Sequence, residues 1–397
     1  MPHVVNTDAL IAEGVLNTAQ AEEIIRRSRE TMLALVINIV LTAGIIAASL
    51  GLVFWIANAA GVAALGLFFL IVGGVILARD NELYRMLDSA AALVGAGMLF
   101  AGGGIELVDK YPDIAGWTLL LAGIATVGVF LAAFFRGPQT LRFVTGAIAL
   151  MGLALHLVGV GILFNVVSIT NWVQSIHFLY AAVAVAGIGT AINVRVVTAA
   201  AIVPFSQALD TGTGYFHAAY FFYSPEPTLT ILQMAALIGV AIWAISRVSD
   251  RIGRHAGILA IMAAVVGNLA FLVGSLWGDE VGLSFFRDSA PRFADFADWQ
   301  DHNAAYAVWR DQFFEISEHV FSVVWAILLL AGAWFAAKGA NRGLFNAAVT
   351  FGAIHAYTQT FETFSDEPIV YAIGGLALIP LAWGMWRLNQ GMFAAPT

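Results

Sequence analysis

The chain has 397 residues, of which 60% are hydrophobic and only 11% are charged, and its formal net charge is -8. Soluble globular proteins carry about 25% charged residues, so this chain has too few charges to cover a water-facing surface. These values exclude a soluble domain and indicate an integral membrane protein. The absence of cysteine excludes disulfide bonds and thiolate metal sites, and no basic patch is present that would bind nucleic acid.

Residues 1–30 are predicted to form a short helical hairpin on the cytoplasmic membrane surface. Asn6–Asp8 can cap a first helix, and Gly14 can end it in a left-handed conformation. Asn17 or Thr18 then caps a second helix, which ends next to the membrane in three arginines, Arg26, Arg27 and Arg29. The hairpin either lies on the surface or docks a protein partner.

Twelve apolar segments follow, each roughly long enough to cross about 30 Å of hydrocarbon. Their approximate limits are 32–56, 60–78, 88–105, 115–135, 141–163, 173–193, 196–209, 228–246, 256–277, 316–336, 343–363 and 369–387. The seventh is the shortest and contains Pro204. We therefore predict an all-α, polytopic bundle of about twelve transmembrane helices over residues 31–397.

The basic residues between these segments favour one orientation. If the N-terminus is cytoplasmic, most of the 18 lysines and arginines fall on the cytoplasmic side, as the positive-inside rule requires. Without the seventh span, Arg247, Arg251 and Arg254 would lie outside, so their positions favour keeping it. The pattern predicts a bacterial inner-membrane protein, surrounded by lipid, with both termini in the cytoplasm.

Two segments on the predicted outer side are unusual. Residues 210–227 are apolar and aromatic, and they either continue the seventh helix after a break or form a surface helix. Residues 278–318 combine carboxylates with aromatic residues, and Phe293, Phe296 and Trp299 fall at helical spacing. We expect amphipathic helices on the outer leaflet there; the alternative is a gating lid or a surface for a protein partner.

Ionisable groups in or near membrane spans are costly, so each is a candidate functional group. Glu315, Glu318 and His319 begin the tenth span, where four-residue spacing would place Glu315 and His319 on one helix face. That arrangement is compatible with half of a carboxylate–histidine metal site. A di-metal bundle needs a second Glu-x-x-His pair, which is missing, so no metal is expected. The alternative is a solvated helix start.

His355, Gln359 and Glu362 follow one face of the eleventh span at spacings of four and three. This stripe either hydrogen-bonds neighbouring helices or lines a cavity. Its outer end would approach Glu318 and His319, and a shared His/Glu cluster there is the best candidate site in the sequence.

The end of the seventh span is interrupted by proline and glycine. Its polar residues are Gln207, Asp210, Thr211 and Thr213. Many secondary transporters bind ions and substrates at broken helices with free backbone groups. This segment is the candidate transport site, and its alternative is a span end followed by a surface loop.

Signals for cofactors and known enzyme classes are weak or missing. His156 and His177 flank one predicted outer loop, as ligands of a b-type haem would, but nothing else supports haem and we expect no cofactor. The chain has no Walker A sequence, no His-Glu-x-x-His and no Gly-x-Ser-x-Gly. An enzyme is therefore the less favoured reading.

The two ends of the chain carry further patterns. Near the N-terminus, Asp8–Leu16 and Ala19–Ile24 run into a glycine-rich first span. Near the C-terminus the pattern consists of Arg342–Ala347, His355–Phe364, Ile373–Leu376 and Trp383. Together they resemble a bacterial family of polytopic membrane proteins called domain of unknown function 2157. The resemblance implies a soluble hairpin joined to a many-helix membrane domain, and it implies no activity.

Relatives in that family tend to have an Arg-Tyr pair and a Phe-Asp-type acidic turn in the C-terminal stretch. Here His355-Ala356-Tyr357 replaces the basic version, so no role of that arginine is carried over. The family has no established activity, and no functional residues are transferred from it.

Three functions remain open from the sequence. The preferred one is a non-enzymatic membrane protein, such as an accessory or assembly subunit with a protein partner. The second is a secondary transporter, which predicts a polar cavity near mid-membrane lined by Asp210, His355 or Glu362. The third is an enzyme acting on lipid-linked or envelope substrates, which predicts that Glu315, His319 and their acidic neighbours converge in an outer pocket.

Overall fold

The computed structural model describes residues 58–77, 85–165, 172–209, 226–283, 289–339 and 342–363. It also describes residues 10–26 apart from 12, residues 285–286, and scattered helical positions before 52 and after 368. The predicted span 369–387 is therefore described only in part, at helical positions, and the predicted span 32–56 lies almost wholly outside the described residues. So do residues 210–225, which include Asp210, Thr211 and Thr213.

The described residues confirm the all-α class, because helices make up nearly all of them. Within the described part of the chain, eight helices are long and apolar enough to cross a membrane: Ala59–Leu77, Asp88–Lys110, Pro112–Arg136, Gln139–Leu163, Trp172–Ala191, Pro227–Arg247, Asp250–Trp277 and Glu318–Lys338. This supports a multi-pass membrane protein. Each of the eight coincides with a span predicted from hydropathy.

Residues 1–165 form one compact unit. Its helices are α1 (Ala59–Leu77), α2 (Arg85–Lys110), α3 (Pro112–Arg136) and α4 (Arg142–Leu163), with α1 packed on α2 and α3 on α4. Small residues allow these close pairings. A Cβ on Gly159 of α4, for example, would lie 2.8 Å from the carbonyl oxygen of Gly116 on α3. Larger side chains cannot replace such glycines without separating the helices.

Residues 166–397 form the second compact unit. Its helices are α5 (Trp172–Ala191), α6 (Arg195–Ala200), α7 (Ile202–Gln207), α8 (Pro227–Arg247), α9 (Asp250–Trp277), α10 (Trp299–Arg310), α11 (Glu318–Lys338) and α12 (Arg342–Thr363). The core beside α7 is built from Ile202, Met234, Ala263 and Val266. It joins α7, α8 and α9 around one set of buried side chains.

A short antiparallel ribbon connects α9 to α11. Strand β1 (Asp279–Val281) pairs with β2 (Phe314–Ile316), with Asp279 opposite Ile316. The residues between the strands include α10 and a 3-10 turn at Phe293–Asp295. The ribbon thus closes the base of a long insertion between two apolar helices.

The predicted helical face of Phe293, Phe296 and Trp299 is wrong. Phe293 lies in the 3-10 turn, and Trp299 is the first residue of α10. The side chain of Asp298 accepts a hydrogen bond from the N–H of Asp301 over 2.8 Å, which caps α10 at its start. Because the cap fixes the helix start at Trp299, the three aromatic residues do not belong to one helix.

The two ends of the second unit differ in charge. Arg195, Arg247, Arg251 and Arg254 are exposed and lie where α6 and α9 begin and α8 ends. We refer to this as the arginine end. The β1–β2 ribbon lies at the other end of α8 and α9, and we refer to that as the ribbon end.

Candidate functional site

The seventh predicted span is a short helix that ends inside the second unit. Helices α6 and α7, separated only by Ala201, cover residues 195–207. At 1.5 Å per residue this stretch is roughly 20 Å long, too short for about 30 Å of hydrocarbon. Ser206 and Ala208, near its end, are buried. The helix therefore starts at the arginine end and stops within the bundle.

A row of buried polar side chains on α8 meets the end of α7. Thr230 and Gln233 are three residues apart on one face of α8, Glu226 precedes the helix as its N-cap, and all three are buried. The Thr230 hydroxyl donates to the carbonyl oxygen of Glu226 over 3.2 Å. The Gln233 side-chain amide donates to the carbonyl oxygen of Phe205 in α7 over 2.5 Å. We name Glu226, Thr230 and Gln233 the α8 polar stripe.

The length of α6 and α7 and the distance from Glu226 to Gln233 are consistent with a meeting point inside the membrane. Gln233 lies seven residues from Glu226, roughly 10 Å along the helix axis. Helices α6 and α7 together cover roughly 20 Å from the arginine end. The polar stripe and the short helix therefore meet at a depth about two-thirds of the way across a hydrocarbon layer of about 30 Å.

Two buried carboxylates connect the ribbon to the start of α8. Asp279 Oδ2 accepts a hydrogen bond from the N–H of Thr228 over 2.8 Å, and Glu226 Oε1 accepts one from the N–H of Gly282 over 2.7 Å. Each carboxylate thus binds the chain segment that carries the other. Asp279 also satisfies one of the free N–H groups in the first turn of α8. We name Glu226, Thr228, Asp279 and Gly282 the carboxylate clasp.

Asp279 is held in an unusual electrostatic environment. Its side chain is only 3% exposed, and its Oδ1 has no hydrogen-bond partner. The buried Thr228 Oγ1 also has no hydrogen-bond partner. Burial raises the pKa of Asp279, the contact with Thr228 opposes this, and the charges of Glu226 and Glu280 raise the pKa further. Asp279 in the clasp is therefore protonated more readily than a free aspartate.

Two of the polar residues predicted to lie on one face of the eleventh span, Gln359 and His355, contact neighbouring helices. Ser322 Oγ of α11 donates to Gln359 Oε1 over 2.9 Å, and Gln359 Nε2 donates to the carbonyl oxygen of Ser275 in α9 over 3.4 Å. The His355 ring packs edge-on against Trp325, with ring centroids 4.8 Å apart. Glu362, one turn beyond Gln359, is exposed. Gln359 and His355 thus join α12 to α11 and α9.

Trp325 extends this seam into α9. Its indole Nε1 donates to Asn268 Oδ1 over 2.9 Å, and Asn268 Nδ2 donates to the carbonyl oxygen of Ala264 over 2.7 Å. The Trp325 ring also stacks on Phe271 at 6.3 Å. These contacts are those of a polar seam that fixes helix positions.

Glu315, Glu318 and His319 do not share a helix face. Glu315 lies in β2, opposite Glu280, whereas α11 begins at Glu318. The expected four-residue helical pairing of Glu315 with His319 is absent, because ribbon pairing keeps residues up to Ile316 extended. His319 is 85% exposed and lies 3.7 Å from the Glu318 carboxylate. Among the described residues, no group of three or more His, Asp or Glu side chains could hold a metal ion.

Two surface grooves are almost wholly apolar. A groove of about 340 Å³ lies between α11 and α12, with His355 as its polar residue and small or aliphatic side chains elsewhere. A groove of about 870 Å³ lies among α2, α3 and α4, with Asp109 at its edge. Such linings are typical of helix surfaces that face lipid, and neither groove gathers the polar groups that a solute site needs.

The remaining sequence candidates are placed as follows. Gln207 is half-buried at the last residue of α7. The other three residues of the candidate transport site lie outside the described residues. His156 is buried in α4, with its Nδ1 3.3 Å from the carbonyl oxygen of Leu120 in α3.

The arginine end contains a buried histidine that positions the start of α6. His255 Nε2 lies 3.2 Å from Asn193 Oδ1, and His255 Nδ1 lies 2.6 Å from the Thr198 hydroxyl. Because the Asn193 oxygen can only accept, Nε2 carries the proton and Nδ1 accepts from Thr198. Arg251 donates to the carbonyl oxygen of Ala191 at the end of α5. These contacts hold the α5–α6 turn against α9.

Sequence reasoning missed four residues that the structure makes prominent: Glu226, Thr230, Gln233 and Asp279. The spacing of Glu226, Thr230 and Gln233 is the same kind of signal that identified His355, Gln359 and Glu362. Asp279 gave no such signal, because it is one of many acidic residues in the 278–318 segment. Only the ribbon pairing shows that it is buried.

No protein-family model matches the chain, and neither a curated protein nor a solved structure matches it. The contacts described above are therefore the basis for assigning a function.

Proposed function

We propose that the protein is a secondary transporter of a bacterial inner membrane, with about twelve spans and with its transport site where α7 ends against the α8 polar stripe. In this proposal both termini lie in the cytoplasm, so the arginine end is on the cytoplasmic side of the membrane and the ribbon end is on the outer side. The arginines at the first of these ends support this orientation by the positive-inside rule. Membership of the domain of unknown function 2157 family is proposed on the two terminal sequence patterns alone.

The observation that carries the proposal is a helix that stops inside the bundle beside buried polar side chains. The last carbonyl groups of a helix carry a partial negative charge and lack helical partners. Secondary transporters use such ends, together with nearby polar side chains, to bind coupling ions and substrates. Here Gln207 and the Phe205 carbonyl lie at that end, and Gln233 contacts it from α8. These groups suit a cation or a small polar solute.

The other two candidate functions have less support from the contacts. The Gln359 side chain in α12 is hydrogen-bonded to Ser322 of α11 and Ser275 of α9, as a structural role requires. Glu315 and His319 lie on different elements and face solvent, so they do not form the pocket that an outer-face enzyme needs. An accessory subunit, with a protein partner at the N-terminal hairpin or the 278–318 segment, predicts instead that water never reaches the α8 polar stripe.

Thiol labelling distinguishes a transporter from an accessory subunit. Because the chain contains no cysteine, each single-cysteine variant can be made without other changes. In the Thr230→Cys and Gln233→Cys variants, a membrane-impermeant thiol reagent should react from at least one side in right-side-out or inverted vesicles. Ala241→Cys, buried on the same helix, and Leu232→Cys, on its exposed apolar side, are matched controls that should not react. Absence of labelling at both test positions would overturn the proposal.

Transport itself can be measured in proteoliposomes. An enclosed pH-sensitive dye and sodium-22 report proton and sodium movement while panels of amino acids, sugars and organic acids are added outside. We expect one panel to produce ion movement in the native protein that is abolished by Gln233→Leu and kept by Leu232→Ala. Equal ion movement in the Gln233→Leu and Leu232→Ala variants would show that Gln233 does not line the transport route.

A further inference from the structure

We propose that the carboxylate clasp is a proton-operated outer gate, in which protonated Asp279 holds the ribbon on α8 and release of the proton to the outer solvent opens the α8 polar stripe. This inference rests on the proposed transport function and names its gate and the ion that works it.

The position of the clasp suits a gate. Its two hydrogen bonds join segments that are 51 and 56 residues apart in the chain. Glu226 belongs both to the clasp and to the outermost position of the polar stripe. Glu226 and Asp279 are both buried, and the two hydrogen bonds hold the ribbon against the end of the stripe that Glu226 occupies. Separation of the ribbon from the start of α8 would expose Glu226 first and then Thr230.

The burial of the Asp279 carboxyl group disfavours its charge. Asp279 Oδ2 already accepts from the Thr228 N–H, whereas Asp279 Oδ1 and Thr228 Oγ1 are buried without partners. The Thr228 side chain contacts the same carboxyl group. Burial of Asp279 raises its pKa by more than the contact with Thr228 lowers it. The ionised form buries a negative charge close to the charges of Glu226 and Glu280.

The surrounding charges act in the same direction. Glu226 faces Asp279 from the start of α8, and Glu280 follows it in β1, so both negative charges disfavour a third. Arg310 of α10 lies 3.3 Å from the Glu280 carboxylate, where it offsets that charge. Glu315 of β2 lies opposite Glu280, and Glu318 begins α11.

The sign of the pH effect follows from the raised pKa of Asp279. A carboxyl group with a raised pKa stabilises the closed form while it is protonated, and this stabilisation is lost as pH rises through that pKa. The gate is therefore closed in an acidic outer medium and opens as the outer pH rises. Exchange of the proton with the outer solvent is the event that couples the gate to a proton gradient.

The test is the labelling rate of the Thr230→Cys variant in right-side-out vesicles as the outer pH is varied from acid to alkaline. The rate at each pH is divided by that of the Trp299→Cys variant, which is exposed, to remove the pH dependence of the thiol itself. We expect this ratio to rise by up to about tenfold per pH unit around the pKa of Asp279, as a one-proton equilibrium allows.

Substitution of Asp279 identifies the group responsible. In an Asp279→Asn background the side chain is neutral and can still accept from the Thr228 N–H, so the ratio should stay at its low, acidic value at every pH. Asp279→Ala removes the clasp and should give a high ratio at every pH. Asp295→Asn, which changes an exposed carboxylate of the same segment, should keep the native profile.

The outcomes separate the gate from the transporter. If Thr230→Cys is labelled equally at every pH, or if Asp279→Asn leaves the profile unchanged, the gate is wrong while the transport proposal stands. If neither Thr230→Cys nor Gln233→Cys is labelled from either side at any pH, both proposals are wrong. Because Asp279→Asn keeps the size and one hydrogen bond of the native residue, the conclusion does not depend on the folding of Asp279→Ala.

Discussion

The side-chain amide of Gln233 donates a hydrogen bond to the carbonyl oxygen of Phe205 over 2.5 Å, one residue after Pro204. The same oxygen accepts from the N–H of Ala208 over 3.2 Å, in the last turn of α7. The contact fixes the end of the short helix against α8, and it brings a polar side chain to the last turn of that helix.

Replacement of Gln233 by leucine should weaken this junction. Because Phe205 keeps its bond from Ala208, its carbonyl oxygen stays paired when the bond from Gln233 is lost, and the free energy of unfolding should fall by about 1 kcal/mol. Thermal unfolding in detergent measures the change. Leu232→Ala, on the exposed side of α8, should change stability by less than about 0.5 kcal/mol. Equal effects of the two substitutions would show that the Gln233 contact contributes nothing.

Close backbone packing in the first unit predicts a large effect of one methyl group. In the Gly159→Ala variant, the new Cβ would lie 2.8 Å from the Gly116 carbonyl oxygen, so α3 and α4 must separate. We expect destabilisation of about 1–3 kcal/mol, as for other overpacked positions. Gly128→Ala, where a Cβ meets nothing within 4 Å, is the matched control and should be neutral or slightly stabilising. A neutral Gly159→Ala would contradict the close approach of the two helices.

The polar seam of α9 and α11 predicts a cost for losing a single donor. Trp325→Phe keeps an aromatic ring but leaves Asn268 Oδ1 without the indole N–H. The unpaired oxygen should lower the free energy of unfolding by about 1–3 kcal/mol. Trp334→Phe makes the same change at an exposed position of the same helix and should have little effect. Comparable unfolding temperatures for the two variants would show that the seam does not stabilise the bundle.

Asp279 predicts the direction of a pH effect on stability. Its pKa in the folded protein is raised above the ordinary value of 3.8, so its contribution is fully present below 3.8 and is lost as pH rises through the raised pKa. Relative to the native protein, Asp279→Asn should therefore become progressively more stable as pH rises. Unfolding temperatures at a series of pH values measure this difference, with Asp295→Asn as the control. A difference that shrinks with rising pH would mean that Asp279 is ionised in the clasp.

Hydropathy was sufficient to predict the long helices, because lipid-facing helices must be apolar along their whole length. The boundaries of α8 and α9, for instance, differ from prediction only at their ends. Hydropathy also identified the short seventh segment, and Pro204 indicated where it is interrupted. These features depend on local composition, which a single sequence displays directly.

The candidate site was predicted less well, because burial of a polar group depends on distant partners. Gln359 was expected to lie on a polar face, but its partners Ser275 and Ser322 could not be deduced from spacing. Asp279 was grouped with exposed carboxylates, since nothing local distinguishes it from Asp295. What buries Asp279 is the pairing of β1 with residues that lie far along the chain, and a helical period cannot reveal such pairing.

The β1–β2 ribbon has a practical consequence. Because Asp279 pairs with Ile316, the chain leaves α9 and returns to α11 at almost the same point. The pairing of β1 with β2 holds together the two ends of the segment between them. The length of that segment should therefore have little effect on the packing of α9 and α11. Positions beyond the ribbon, such as the turn before α10, are thus suited to carrying an affinity tag or a fluorescent protein on the proposed outer surface.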